Sequence, residues 1–177
     1  MPSLFTAIEL PEDVRAELAL ARGGLFGARW LEPEDYHVTL RFIGDVDGRV
    51  AHEVVDTLSD VRRPRLQLSF DGLAGFGGDR PRQVVAKLRA SPQLIELQSD
   101  QERRLRRIGL KPETRKFIPH VTIARLNQVS PLALADYLQS RAERSQAAFV
   151  ATRFVLYSSR PNIGGGPYVV EAAYPLH

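Results

Sequence analysis

The residues best suited to chemistry lie in two short, similar segments. Residues 37–40 read His-Val-Thr-Leu, residues 120–123 read His-Val-Thr-Ile, and the 177-residue chain has only four histidines. Both segments sit in runs of β-branched, aromatic and aliphatic residues that favour strands. Because side chains alternate between the faces of a strand, each segment is predicted to present an imidazole and a hydroxyl together, with aliphatic side chains behind them.

Two imidazoles and two hydroxyls in one cavity would suit acid–base chemistry on a phosphate. Histidine titrates near neutral pH, so one imidazole can donate a proton while the other accepts one. The hydroxyls of Thr39 and Thr122 can donate hydrogen bonds to phosphate oxygens. Arg41 or Arg125 could add a charge-assisted contact, and Arg41 shares the alternation face of His37. One His-x-Thr is a weak signal, whereas two copies in similar contexts favour a functional pair over ordinary polar residues.

The remaining segments predict the elements that position this pair. Strands are predicted at 4–10, 36–43, 66–70, 83–88, 119–126, 149–157 and 168–174, and helices begin near Pro11, Asp47, Ser91 and Ser130. Consecutive strands favour an α+β fold with antiparallel sheets over a doubly wound parallel sheet. The two histidine segments lie about half a chain apart. We therefore predict one domain, residues 1–177, of two pseudo-symmetric lobes of antiparallel β-sheet with flanking helices around a central cleft.

Four other features are interpreted structurally. Trp30, the only tryptophan, is predicted to pack in the core rather than stack on a substrate. His52 is predicted to lie on the surface of the second helix. The glycine-rich segment 72–78 lacks the spacing of a phosphate-binding or dinucleotide-binding loop, so we predict a bend. Residues 162–167 are predicted to form the turn of a closing hairpin.

The composition narrows the class of protein. The chain has no cysteine, which excludes disulfides, thiolate metal sites and a cysteine nucleophile. Its histidines lack the spacing of the common zinc motifs, so metal binding through His and carboxylates is open but poorly supported, and no cofactor is expected. The sequence contains no apolar run that could span a membrane, and its first residues do not resemble a signal peptide. A cytoplasmic protein is therefore expected.

Arginine is concentrated in three places although the formal net charge is only +3. The clusters lie at 62–65, 80–82 and 103–107. Basic clusters can contact a phosphate backbone. A solvated helix face is the favoured interpretation of 103–107, so this weak basic bias is compatible with RNA but does not demonstrate it.

Taken together, these segments resemble the two-histidine (2H) phosphoesterase superfamily. The similarity points in particular to its bacterial and archaeal RNA 2′,3′-cyclic phosphodiesterases, the LigT-like or 2′-5′ RNA ligase branch. The paired His-x-Thr is the specific part, and matching segments are spread over nearly the whole chain. They lie at 4–8, 10–11, 28–31, 37–44, 72–77, 115–125 and 156–159.

The resemblance implies a two-lobed α+β fold without metal that hydrolyses a terminal 2′,3′-cyclic phosphate to a 2′-phosphomonoester. It implies that His37 is the proton donor to the departing 3′ oxygen and that His120 accepts a proton from the attacking water. Thr39 and Thr122 would hold the non-bridging oxygens, and Arg125 would reinforce them. Weak 2′-5′ RNA ligase activity, the same chemistry in reverse, is also implied.

The expected partners are RNA with 2′,3′-cyclic phosphate ends or small cyclic nucleotides, and a monomer is expected. Phe5 and Tyr157 either stack on the terminal base or pack between sheet and helix, and the sequence leaves both open. The alternative to an enzyme is a non-catalytic module that binds RNA ends or nucleotides in the same cleft. Two titratable histidines favour the enzyme, because binding alone does not require them.

Overall fold

Two antiparallel sheets and four α-helices make up the computed structural model, which describes residues 3–141, 147–159 and 167–177. The strands are β1 (Ser3–Glu9), β2 (Ala28–Trp30), β3 (His37–Asp45), β4 (Leu66–Phe76), β5 (Gln83–Leu88), β6 (His120–Leu126), β7 (Ala148–Ala151), β8 (Arg153–Ser159) and β9 (Val169–Pro175). The helices are α1 (Glu12–Ala19), α2 (Gly48–Leu58), α3 (Pro92–Arg107) and α4 (Pro131–Ser140), with a 3₁₀ turn at Pro33–Asp35. No helix in these ranges is both long and apolar enough to cross a membrane.

Each sheet contains one of the two histidine strands. The first sheet has the strand order β3-β1-β8-β9, and the second has the order β2-β6-β5-β4-β7. Every pairing is antiparallel, and β3 also contacts β6 of the other sheet. The predicted α+β fold with antiparallel sheets is confirmed.

A continuous apolar core supports both histidine strands from behind. Val38, Leu40, Val121 and Ile123 are each at most 3% exposed and belong to one cluster that includes side chains of both sheets and all four helices. Burial of each such side chain contributes about 1.5–3 kcal/mol. The predicted aliphatic backing of the His-Thr faces is therefore present.

Local capping signals place the starts of three helices. The side chains of Asp47, Ser91 and Ser130 each accept a hydrogen bond from the backbone N–H three residues further on. Helix α1 begins after Pro11 as predicted and ends at Ala19. The chain then continues in tighter turns held by i to i+3 hydrogen bonds.

Two strand predictions need correction. The run 149–157 is not one strand, since it is split at Thr152 between β7 of the second sheet and β8 of the first. The glycine-rich segment 72–78 is not one bend, because β4 continues to Phe76. A bulge lies near Gly72, whose φ is 79°, and the chain turns only after Phe76. Of the turn predicted at 162–167, residues 162–166 lie outside the described residues.

The remaining structural interpretations are confirmed. Trp30 packs against the core with its ring centroid 5.7 Å from that of Tyr137. His52 has a side chain that is 79% exposed.

The arginines near the end of α3 form a helix face rather than a cleft wall. Arg103 and Arg104 pair with Asp100, and Arg106 pairs with Glu102, at distances between 3.0 and 3.7 Å. The solvated-face interpretation of 103–107 is therefore supported.

Candidate active site

Strand β3 has a β-bulge immediately after its His-x-Thr segment. In its pairing with β1 the register moves from Thr39 directly to Arg41, which leaves Leu40 as the extra residue. Leu40 and Arg41 are both buried, so the alternation is broken at this point. Phe42 therefore returns to the His37 face and lines the cleft.

Strand β6 has the same irregularity at the equivalent position. In its pairing with β5 the register moves from Thr122 to Ala124, and Ile123 is the extra residue. The bulge places Arg125 in the cleft with His120, although simple alternation would assign it to the opposite face.

The structure contradicts the suggestion that Arg41 binds phosphate. Arg41 is only 6% exposed and does not line the cleft. Its Nε lies 2.5 Å from a carboxylate oxygen of Glu102, and its guanidinium also donates to the carbonyl oxygens of Phe42 and Lys111. The suggestion was wrong because it assumed uninterrupted alternation along β3.

The two sheets bring all five predicted site residues to one cleft of about 950 Å³. The five are His37, Thr39, His120, Thr122 and Arg125. The first two come from the first sheet and the other three from the second. Within the described residues, no group of three His, Asp or Glu side chains is placed to bind a metal ion.

Each catalytic candidate is oriented by the backbone two residues before it. Nδ1 of His37 lies 2.9 Å from the carbonyl oxygen of Asp35, and Nδ1 of His120 lies 2.6 Å from that of Ile118. A carbonyl can only accept, so Nδ1 carries a proton in both rings and Nε2 is left for the other partner. For His37 that partner is the hydroxyl of Thr39, at 3.0 Å.

The two rings have different surroundings. Three aromatic rings surround His37, with centroid distances of 5.1 Å to Phe5, 5.9 Å to Tyr157 and 5.0 Å to Tyr168. Among the described residues, the ring of His120 has one such neighbour, Phe76, at 4.8 Å. His37 is consequently the more deeply enclosed of the two.

Burial lowers the pKa of both imidazoles. It lowers the pKa of His37 to about 4, against the opposing effect of the hydrogen bond to Asp35, and the nearby His120 lowers it further. The pKa of His120 is also lowered by burial, and its bond to Ile118 opposes this. Both rings are therefore mainly neutral at pH 7 in the free protein.

The geometry favours packing over base stacking for Phe5 and Tyr157. Phe5 is 5% exposed and forms part of the ring cluster around His37. Tyr157 faces a separate pocket of about 330 Å³ that also includes Arg153. Tyr157 does not line the cleft, and Phe5 lines it but is almost fully covered, unlike Phe42, which is 50% exposed.

Sequence reasoning missed Tyr168 and Phe76, the rings that lie edge-on to His37 and His120. Burial raises the pKa of Tyr168, as does Asp35, whereas Arg125 of the other lobe lowers it. Both aromatic residues come from strands or loops distant in sequence from the histidines they contact. No local pattern marks such contacts.

The fold and the cleft define a two-lobed phosphoesterase of the class that the paired His-x-Thr predicts. The family model described as LigT like phosphoesterase matches residues 8–86 and 88–167, so this chain belongs to that family. The match consists of two consecutive parts, and each contains one His-x-Thr segment. This agrees with the equivalent bulges in β3 and β6.

Similar proteins include two named RNA 2′,3′-cyclic phosphodiesterase. The protein from Aeropyrum pernix is 40% identical over 98 residues, which is 54% of this chain and 56% of that protein. The protein from Methanocaldococcus jannaschii is 26% identical over 94% of this chain and 96% of its own length. A crystal structure of E. coli LigT in complex with 3′-AMP has the same fold, with a TM-score of 0.79, 23% identity and coverage of 99% of both chains.

Proposed function

We propose that this protein hydrolyses 2′,3′-cyclic phosphate ends of RNA to 2′-phosphomonoesters by metal-independent acid–base catalysis. The observation that carries the proposal is the convergence of His37, His120, Thr39, Thr122 and Arg125 in one cleft. The names of the similar proteins support hydrolysis of an RNA 2′,3′-cyclic phosphate.

The proposed roles of the histidines follow from their enclosure. Water attacks phosphorus, the P–O3′ bond breaks, and the 2′ ester bond remains. His120 lies on the more open side and accepts the proton of the attacking water at Nε2. His37, enclosed by aromatic rings, donates a proton to the departing 3′ oxygen, where competing water is limited. Exchange with solvent restores both rings.

Charge on the non-bridging oxygens is held by the two hydroxyls and the guanidinium. Thr39 donates to Nε2 of His37 in the free protein, so its hydroxyl must rotate toward the phosphate when substrate binds. Thr122 and Arg125 approach from the other lobe. Donors positioned in this way stabilise charge that develops in the transition state.

Binding of the anionic substrate favours the protonated form of His37, which takes its proton from solvent. The pKa of His37 is about 4 in the free protein, so the donor form is scarce at neutral pH. A phosphate anion within hydrogen-bond distance favours the imidazolium and raises this pKa. The substrate is therefore expected to bind together with a proton.

The proposal also covers the oligomeric state, the reverse reaction and the cellular location. We infer that both lobes work as one unit in a monomer, because the cleft needs residues from each sheet. Weak 2′-5′ ligation is expected by microscopic reversibility, and a cytoplasmic location would match an RNA substrate.

The direct test is incubation of purified protein with a short RNA ending in a 2′,3′-cyclic phosphate, in excess EDTA. A 2′-phosphate product at the same rate as without EDTA is expected. A 3′-phosphate product would contradict the assigned leaving oxygen. A rate that EDTA abolishes and zinc or manganese restores would contradict metal independence. Tight binding without turnover would favour a binding module.

A further inference from the structure

The segment between α3 and β6 forms one wall of the cleft. Its cleft-lining side chains belong to Glu113, Arg115, Lys116, Phe117 and Ile118. The carbonyl of Ile118 orients His120, so this wall leads directly into the catalytic strand. Its cations therefore lie on the same surface as the reaction centre.

Three cleft-lining cations have no role in the proposed reaction. Arg82, Arg115 and Lys116 line the cleft, and within the described residues their side chains make no ion pair or hydrogen bond. The carboxylate of Glu113 is nearby, but it accepts the backbone N–H of Arg115 at 3.0 Å. Cations without partners on a concave surface attract an anionic ligand.

A buried ion pair fixes this wall. Arg41 and Glu102 are 6% and 14% exposed, and Arg41 also donates to the carbonyl oxygen of Lys111. Glu102 in turn accepts the backbone N–H of Glu113 at 3.0 Å. The start of the wall is thereby attached to β3 and α3, which sets where Arg115 lies relative to the His37 strand.

Arg82 is also held in place by its backbone. Its N–H donates to the carbonyl of Phe76 at 2.7 Å, and its carbonyl accepts from Leu126 at 2.8 Å. The preceding turn depends on Gly77, whose φ is 116° and where a Cβ would clash with the carbonyl oxygen of Arg80. Only glycine fits such a position without strain.

We propose that Arg82, Arg115 and Lys116 form a second anion subsite, which binds the phosphodiester preceding the terminal nucleotide. A cyclic mononucleotide has a single phosphate, and the histidines, threonines and Arg125 account for it. A volume of about 950 Å³ also leaves room for more than one nucleotide. The preferred substrate is then a chain of at least two nucleotides. This inference rests on the proposed function.

The test compares two dinucleotides that both end in a 2′,3′-cyclic phosphate. One has an ordinary phosphodiester linkage, and the other has an uncharged methylphosphonate linkage. The wild-type protein is expected to prefer the charged linkage by roughly tenfold in kcat/KM, mainly through KM. Higher salt should reduce the preference, because these cations are exposed.

Variants show which residues cause the preference for the charged linkage. Arg115→Ala/Lys116→Ala should reduce it to about twofold or less, and Arg82→Ala should reduce it partly. Glu102→Gln, which weakens the attachment of the wall, should also reduce it while circular dichroism stays unchanged. The control is Arg49→Ala on α2, whose exposed side chain pairs with Glu53 outside the cleft.

Three results would overturn the proposal. Equal rates of the wild type on both linkages would mean that no second subsite exists. Retention of the full preference in the Arg82 and Arg115/Lys116 variants would place the subsite elsewhere. If neither dinucleotide reacts, the proposed function itself fails, and that result is distinct from turnover without preference.

Discussion

The two His-x-Thr strands have the same backbone but different surroundings. Each has a bulge after the threonine and an imidazole whose Nδ1 is bonded to the carbonyl two residues earlier. In the part of the chain that the structure describes, His37 nevertheless lies among three aromatic rings, whereas His120 has one aromatic neighbour. Local sequence therefore sets the shape of each site, and residues from distant strands set its electrostatics and access to water.

The residues that follow the bulge at equivalent positions of β3 and β6 also differ in chemical type. Phe42 of β3 and Arg125 of β6 both point into the cleft, so one lobe offers an aromatic ring and the other a cation. Buried Arg41 corresponds to Ala124, which has no charge to satisfy. We infer that Phe42 contacts the nucleoside and that Arg125 contacts the phosphate.

Removing either imidazole should have the largest effect. His37→Ala and His120→Ala are each expected to lower kcat by about 10²–10⁴-fold, because a general acid or base is lost. The measurement is single-turnover hydrolysis of a cyclic-phosphate RNA, with circular dichroism to confirm folding. Retention of most activity by either variant would contradict paired catalysis.

Replacing Phe42 of β3 and Arg125 of β6, one at a time, should separate the roles of these two residues. Arg125→Ala is expected to lower kcat by about 10²-fold, since a donor to the reacting phosphate is removed. Phe42→Ala should mainly raise KM, by roughly tenfold, through lost contact with a base. Arg29→Ala is the control, because Arg29 faces Arg125 in the strand register without lining the cleft. If both variants change the same kinetic constant equally, the assignment of Phe42 to the nucleoside and of Arg125 to the phosphate is wrong.

The smallest effect expected is a shift in pH dependence. Reaction needs one protonated and one neutral imidazole, and burial lowers both pKa values, that of His37 to about 4. The profile of kcat/KM should therefore be bell-shaped with its maximum on the acid side of 6.5, falling as pH rises through neutrality. Binding of the anionic substrate should move the profile of kcat to higher pH.

Removing an aromatic neighbour exposes the imidazole to water, which tests whether burial is the cause of the lowered pKa. Tyr168→Ala should raise the pKa of His37 toward its ordinary value and move the kcat/KM maximum to higher pH. Phe76→Ala, beside His120, should move it less because burial is smaller there. Imidazole titrations followed by NMR would check both, and an unchanged pKa of His37 in Tyr168→Ala would contradict the role given to aromatic enclosure.

Much of the site could be predicted because its signals are local. The His-Val-Thr segments, the aliphatic backing and the helix caps at Asp47, Ser91 and Ser130 all depend on neighbours within a few residues. The residues alone left Arg41 and Arg125 as alternative phosphate contacts, and only the family resemblance selected Arg125, since alternation assigns it to the wrong face. The bulge that explains its position is visible only once β6 is paired with β5.

What could not be predicted depends on contacts between distant segments. The burial of Arg41 required both the bulge and a carboxylate from α3. The enclosure of His37 required Tyr168 from the last hairpin. The division of 149–157 into two strands follows from pairing with β4 before Thr152 and with β1 after it, although the run looks uniform in sequence.

The division of labour between the histidines can be tested with one modified substrate. A 2′,3′-cyclic phosphate with sulfur in place of the 3′ oxygen has a leaving group that needs no proton, and a thiol reagent detects its release. We expect His37→Ala to cleave it at close to the wild-type rate, while His120→Ala remains inactive. Restored activity in His120→Ala but not in His37→Ala would contradict the assignment of His37 as acid and His120 as base.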